Sequence, residues 1–200
     1  GFPVKQSLSD RFDYQYLTDS IIHQIKEYCD KEGVPVPNIF SEFGSYTVAE
    51  SGATLYSIID QKKQNDVECW NMIDSSFITT LPDSWGTDQR FVLLAVNRWN
   101  SPYESVNLGG LTCDSQDYYN VETHANNIYL PEFRKDEPLY VGFFHTGAYQ
   151  NELGGYGGIQ HCLIPSPKQV IVYKNENDEV VSELFAEEQG PKDMLDKLGY

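Results

Sequence analysis

The sequence predicts an α+β fold: the last β/α unit of an α/β barrel over residues 1–52, then a mainly antiparallel β domain, barrel or sandwich-like, over 53–200. Three observations carry this. A one-faced helical pattern in the first segment runs into a short apolar stretch. After Gly52, apolar runs of strand length alternate with clusters of turn-forming residues. A hairpin pattern and a short helix close the chain.

Taken in order, Tyr14, Leu17, Ile21, Ile22, Ile25 and Tyr28 recur at helical spacing. Asp13 suits the N-cap, and Gly33 followed by Pro35 suits the stop. Residues 37–42 then read as a short buried strand. That puts Glu42 at a strand's C-terminal end, where β/α units gather their functional groups. Strands are predicted over 54–59, 70–74, 91–96, 107–112, 139–144 and 169–173, with a partner for the last over 180–185. Pro82-Asp-Ser and Asn175-Glu-Asn-Asp read as turns between them, and Pro191 as the first residue of a helix through Met194, Leu195 and Leu198.

The chain has 200 residues, 40% of them hydrophobic, with 14 Tyr and 10 Phe to fill a core. Its net charge of −16 speaks against nucleic acid or an anionic membrane surface, which call for clustered Lys and Arg. An acidic field also draws in cations, although charge of this sign equally serves solubility. No apolar run approaches the roughly 18 residues of a membrane helix. Cys29, Cys69, Cys113 and Cys162 form no CxxC pair, which fits a reducing compartment and a cytoplasmic location. The chain opens at Gly1 rather than Met, so a missing N-terminal part is expected.

Four segments offer chemistry. Gly109-Gly-Leu-Thr-Cys113-Asp114 puts a thiol, a possible proton donor, beside a carboxylate that can hold a cation; the same letters also describe an ordinary strand-to-loop turn with a buried cysteine. In Gly147-Ala-Tyr149, Gly-Ala allows a backbone to approach a ligand and the phenol can bond a phosphate oxygen. Gly154-Gly-Tyr-Gly-Gly158 lacks the lysine of a P-loop and the spacing of a dinucleotide fingerprint, and reads as a mobile loop near a site. His161-Cys162 with Cys113 invites a zinc reading, but no second pair has ligand spacing, so no metal is expected. His23, between apolar helix positions, reads as structural, and no Gly-x-Ser-x-Gly elbow occurs.

The order Glu42-Phe-Gly44-Ser45, then Gly110-Leu-Thr-Cys113-Asp114-Ser, then Gly147-Ala-Tyr149 resembles the pyridoxal-phosphate (PLP) dependent ornithine, diaminopimelate and arginine decarboxylases of the alanine-racemase-like fold. The wording of the motifs is most similar to the arginine branch, and the chain resembles only the C-terminal part. The resemblance implies a lyase that takes arginine to agmatine and CO2 for polyamine and spermidine synthesis. Ornithine, lysine, diaminopimelate and carboxynorspermidine stay open as substrates, as does a non-catalytic regulatory relative. A generic β-rich binding domain is the reading without the resemblance.

Residue by residue, the resemblance implies that Glu42 faces the PLP ring nitrogen and Tyr149 its phosphate, with Gly44 and Ser45 beside them and Gly1 at the tail of the phosphate loop. Cys113 would donate the proton after CO2 leaves, and Asp114 would hold the distal cation of the substrate. The site would be shared across a homodimer. Two departures stand out. Ser45 occupies the family's arginine position, and the lysine that carries PLP has no counterpart here; Lys62 and Lys63 read as part of a solvated turn.

Overall fold

A computed structural model describes residues 13–121, 126–150, 153 and 160–200. Gly1 and the 154–158 loop lie outside the described residues.

Helix α1 spans Tyr14–Glu32, capped as the sequence predicts. The Asp13 carboxylate accepts from the Tyr16 N–H at 2.9 Å, and Gly33 ends the helix at φ 65°, a left-handed conformation that glycine takes without strain. Only Cys29 of α1 is buried; Ile21, Ile22 and Tyr28 of its apolar stripe are exposed. His23 is exposed too and pairs with Glu27 at 3.2 Å, one helical turn on.

The strand expected over 37–42 is absent: residues 34–43 are irregular and exposed. Pro35 and Pro37 remove two backbone donors, and no strand among the described residues lies alongside to supply a ladder. Glu42 therefore precedes the short helix α2, Gly44–Val48, rather than ending a strand. A 3-10 turn, Ala49–Ser51, then leads through Gly52 into the β region.

Strands β1 (Ala53–Lys63), β2 (Cys69–Ile73), β3 (Val92–Ala95), β4 (Tyr103–Gly109), β5 (Tyr118–Tyr119), β6 (Ile128–Pro131) and β7 (Leu139–Phe144) form one curled sheet among the described residues, ordered β3-β7-β1-β2-β4-β5 with β6 on β4. Pairing is antiparallel except between β2 and β4, where Trp70, Asn71 and Met72 lie beside Asn107, Leu108 and Gly109 in parallel. The long β1 carries Lys62 and Lys63 within a strand, not a turn. Pro82-Asp-Ser is likewise no open turn. It starts helix α4, Pro82–Gly86, directly after α3, Phe77–Thr80, because proline suits the first helical turn. β4 stops at Gly109, short of the predicted residue 112, because the Gly110 N–H turns to the Asp117 carbonyl at 2.8 Å.

Alternate residues of β1, β3, β4 and β7 point inward and enclose the core. At its centre Phe143 meets Tyr56, Phe77 and Tyr119 edge to face, with centroids 5.0 Å apart for Tyr119–Phe143 and 5.6 Å for Tyr56–Phe143. Burial pushes the Tyr56 phenol far above its ordinary range, and its hydroxyl bonds to Thr80. β8 (Gln169–Lys174) and β9 (Val180–Ala186) form a separate hairpin, and helix α5, Pro191–Leu198, follows. Val172, Val180 and Phe185 of the hairpin are exposed.

Candidate functional site

The first group of site residues is assembled by a clamp between two glycines. An added Cβ on Gly147 would lie 2.3 Å from the Val48 carbonyl oxygen, and one on Gly52 would lie 2.4 Å from the Gly147 nitrogen. No residue with a side chain fits either place. Two backbone bonds hold the contact: Gly147 N–H to Ala49 O at 3.0 Å and Thr146 N–H to Gly52 O at 3.1 Å. The glycine of Gly147-Ala-Tyr149 thus serves a close approach to the protein's own backbone.

This clamp carries Tyr149, at φ 64°, back over the start of α2. Its hydroxyl lies 3.4 Å from the point where a side chain on Gly44 would begin, and the Glu42 carboxylate lies 3.7 Å from the same point. Glu42 and Gly44 thus meet Tyr149, more than a hundred residues further along the chain, at one spot. Ser45 is the next residue of α2 and is half-buried.

Cys113 and Asp114 belong to a second group, on the β4–β5 loop. Asp117, which the sequence reading passes over, holds that loop. Its carboxylate is 6% exposed. One oxygen accepts from Phe77 N–H at 2.8 Å. The other accepts from Thr112 N–H at 2.9 Å and from the Thr112 hydroxyl at 2.6 Å. Gly110 leaves the room, since a Cβ there would sit 2.2 Å from the carboxylate. The signal in the sequence is faint: an Asp four residues after Cys113.

Cys113 is exposed, not buried as in an ordinary turn. Its sulfur lies 3.7 Å from that of Cys162. The hydrogen bond with Cys162 is the largest cause raising the Cys113 thiol above its ordinary pKa. Asp114 is half-buried, and its carboxylate accepts from Gln116 N–H at 2.8 Å.

His161 and Cys162 sit in a tight turn, His161–Leu163, between buried Gln160 and Ile164. No metal is expected from His161-Cys162 and Cys113 in the sequence, for want of a second pair at ligand spacing. The fold nonetheless brings Cys113, His161 and Cys162 together, their ligand atoms all within 4.8 Å of one another. An open cleft of about 550 Å³ lies elsewhere, lined by Lys63, Asp66, Cys69 and Glu104, and contains no residue of either group.

No family model matches the chain. It is 31% identical over 143 residues to the biosynthetic arginine decarboxylase of Photorhabdus laumondii, an alignment covering 69% of this chain and 22% of that protein. It is 39% identical over 84 residues to the enzyme of the same name from Geobacter sulfurreducens, covering 40% of this chain and 13% of that one. The chain thus spans about a fifth of the length of the curated relatives it matches. Its fold is similar to the biosynthetic arginine decarboxylase of Campylobacter jejuni, with a TM-score of 0.70, 17% identity, and coverage of 97% of this chain and 46% of that one. It is also similar to the diaminopimelate decarboxylase of Helicobacter pylori, complexed with L-lysine, with a TM-score of 0.66, 15% identity, and coverage of 100% and 44%.

Proposed function

The chain is a relative of the biosynthetic arginine decarboxylases, with the fold of the alanine-racemase-like decarboxylases, and from that kinship we propose that it is the C-terminal part of a PLP-dependent decarboxylase of basic amino acids, arginine before others. In this reading residues 1–52 end the PLP-binding barrel and 53–200 form the β domain. The exposed apolar stripe of α1 and the exposed hairpin are where the rest of the barrel packs. The working protein is a cytoplasmic homodimer, and its product, agmatine, feeds polyamine synthesis.

The observation that carries the reading is the convergence of Tyr149 and Glu42 over Gly44. A phenol and a carboxylate at a bare glycine fit the two polar ends of PLP: Tyr149 donates to a phosphate oxygen, and Glu42 holds a proton on the ring nitrogen. When bound, the cofactor supplies an electron sink for the pair left behind by CO2. Ser45 offers the phosphate a hydroxyl in place of the family's guanidinium. Across the dimer interface, the Asp114 carboxylate holds the distal cation of the substrate, and the Cys113 thiol delivers the proton that replaces CO2 at the α-carbon. A raised thiol pKa keeps that proton on Cys113 at neutral pH.

The test is CO2 release by the full-length protein from arginine, ornithine, lysine and diaminopimelate. Arginine is expected to give the highest kcat/KM. Asp114→Ala should raise KM for it about 10- to 150-fold, the worth of one charge-assisted hydrogen bond. Cys113→Ala should lower kcat with KM nearly unchanged. Mixing Cys113→Ala with a variant lacking the cofactor lysine should restore up to about a quarter of activity through random dimers. No CO2 from any basic amino acid would favour the second reading, a non-catalytic regulatory relative, for which Ser45 in place of arginine is the supporting observation.

A further inference from the structure

The geometry points to a soft transition-metal site made by Cys113, Cys162 and His161, occupied by a cation of the Zn2+ type and competing with Cys113's role as proton donor. The last clause rests on the functional reading above; the site itself does not.

Two thiolates bound to one zinc ion, each about 2.3 Å from it at the tetrahedral angle, lie about 3.8 Å apart. The sulfurs of Cys113 and Cys162 are 3.7 Å apart. That separation matches a tetrahedral edge, and it is far from the roughly 2.05 Å of a disulfide. The imidazole of His161 has a nitrogen within 4.8 Å of both sulfurs, so a shift of about 1 Å completes a third corner. All three side chains are exposed, which leaves an entry path for the ion and room for water at the fourth position.

Each half of the site is held by its own hydrogen bonds. Asp117 fixes the Cys113 loop through Thr112 and Phe77. For the other half, the Ser166 N–H donates to the Gln189 side chain at 2.8 Å, and Gln160 donates to the Ser166 hydroxyl at 3.3 Å. Cys162 and Leu163 within that turn have φ of 54° and 56°, a conformation that aims both ends of the turn at fixed directions. A pair of thiols with a histidine selects zinc, cobalt or copper over calcium and magnesium, which take oxygen.

Binding deprotonates both thiols: two protons leave, two metal–sulfur bonds form, and the imidazole binds neutral, so two thiolates and one dication sum to no net charge. Cys113 then has no proton to give. Metal occupancy and protonation of the substrate carbon are mutually exclusive, and affinity falls as pH falls because protons compete for the sulfurs.

The experiment uses the full-length protein kept reduced with a phosphine and freed of metal by a chelator. Titration with Co2+ should produce a near-ultraviolet thiolate-to-cobalt charge-transfer band and intense visible bands of a tetrahedral ion, saturating at one Co2+ per chain and bleached by Zn2+. Cys162→Ala should abolish the charge-transfer pattern of two sulfurs. His161→Gln should weaken binding at least about tenfold, with circular dichroism matching the parent. Turnover should be inhibited by Zn2+ in the parent, while whatever turnover Cys162→Ala retains should be insensitive to Zn2+. A protein with no charge-transfer band, or one whose band survives Cys162→Ala unchanged, overturns the site. A band that behaves as described in a protein whose turnover ignores saturating Zn2+ leaves the site standing and overturns Cys113 as proton donor.

Discussion

The Tyr149 hydroxyl and the Glu42 carboxylate address the same point above Gly44, at 3.4 and 3.7 Å from where its side chain would start. Both are ordinary contact distances for a single methyl group, and Gly44 is not among the residues with positive φ. Gly44→Ala should therefore keep cofactor affinity within about threefold. Gly44→Leu, which drives the phenol and carboxylate apart, should weaken it at least about tenfold, or about 1.4 kcal/mol. Fluorescence titration of the full-length apoprotein with PLP reads both.

Gly147 tolerates no such change. A methyl there meets the Val48 carbonyl oxygen at 2.3 Å and the Ser51 hydroxyl at 2.7 Å. Gly147→Ala should cost about 1–3 kcal/mol through forced backbone movement. The same movement lifts Tyr149 away from Gly44. Urea unfolding should show a lower midpoint at unchanged slope, together with weaker PLP binding. An unchanged midpoint would show that the clamp yields freely.

Asp117→Asn should cost about 2 kcal/mol. An amide nitrogen placed where a carboxylate oxygen accepts leaves either Phe77 N–H or Thr112 N–H without an acceptor, and an unsatisfied buried donor costs about 1–3 kcal/mol. Hydrogen exchange should localise the damage to the Thr112 and Phe77 amides while the β1–β7 ladder stays protected.

Tyr56 makes stability fall in alkali. Its folded pKa is raised, so the unfolded chain ionises first, from the ordinary value of 10.0 upward. The stabilisation is fully present below pH 10.0 and is lost as pH climbs toward the folded value. At about pH 11 this one group removes about 1.4 kcal/mol. Tyr56→Phe should lose the Thr80 bond, starting about 1 kcal/mol lower near neutrality, but should drop less between pH 9 and about pH 11. Parallel pH profiles for the two proteins would contradict this.

Local signals in the sequence find local structure. Asp13 and Gly33 mark α1 to the residue, and alternation locates β1, β2, β3, β7 and the β8–β9 hairpin. The 37–42 stretch fails because its apolar residues say nothing about a pairing partner, and a strand exists only as part of a ladder. β5 and β6, two and four residues long, are too short to show a period. Glu42 and Tyr149 are named from motifs more than a hundred residues apart, and the way they meet depends on two glycine backbones touching at positions 52 and 147. Asp117 is invisible in the same manner, because its donors gather only in the fold, and His161-Cys162 with Cys113 is set aside in the sequence because ligand spacing along a chain says nothing of two thiols 49 residues apart.

β7 lies between β3 and β1 in the sheet, pairing Phe144 with both Ala53 and Val92. The strand that joins the β3 edge to the rest of the sheet is thus the last of its strands in chain order. During synthesis, β1 and β3 leave the ribosome with open edges and wait for residues 139–144, several seconds at about 5–20 residues per second. Edges of this kind recruit other strands, and contacts of such long sequence separation form slowly. The nascent chain therefore has a window in which Phe91, Leu93 and Tyr56, all core residues of the finished protein, stand uncovered, and soluble yield should depend on chaperone supply and growth temperature more than on the stability of the folded sheet.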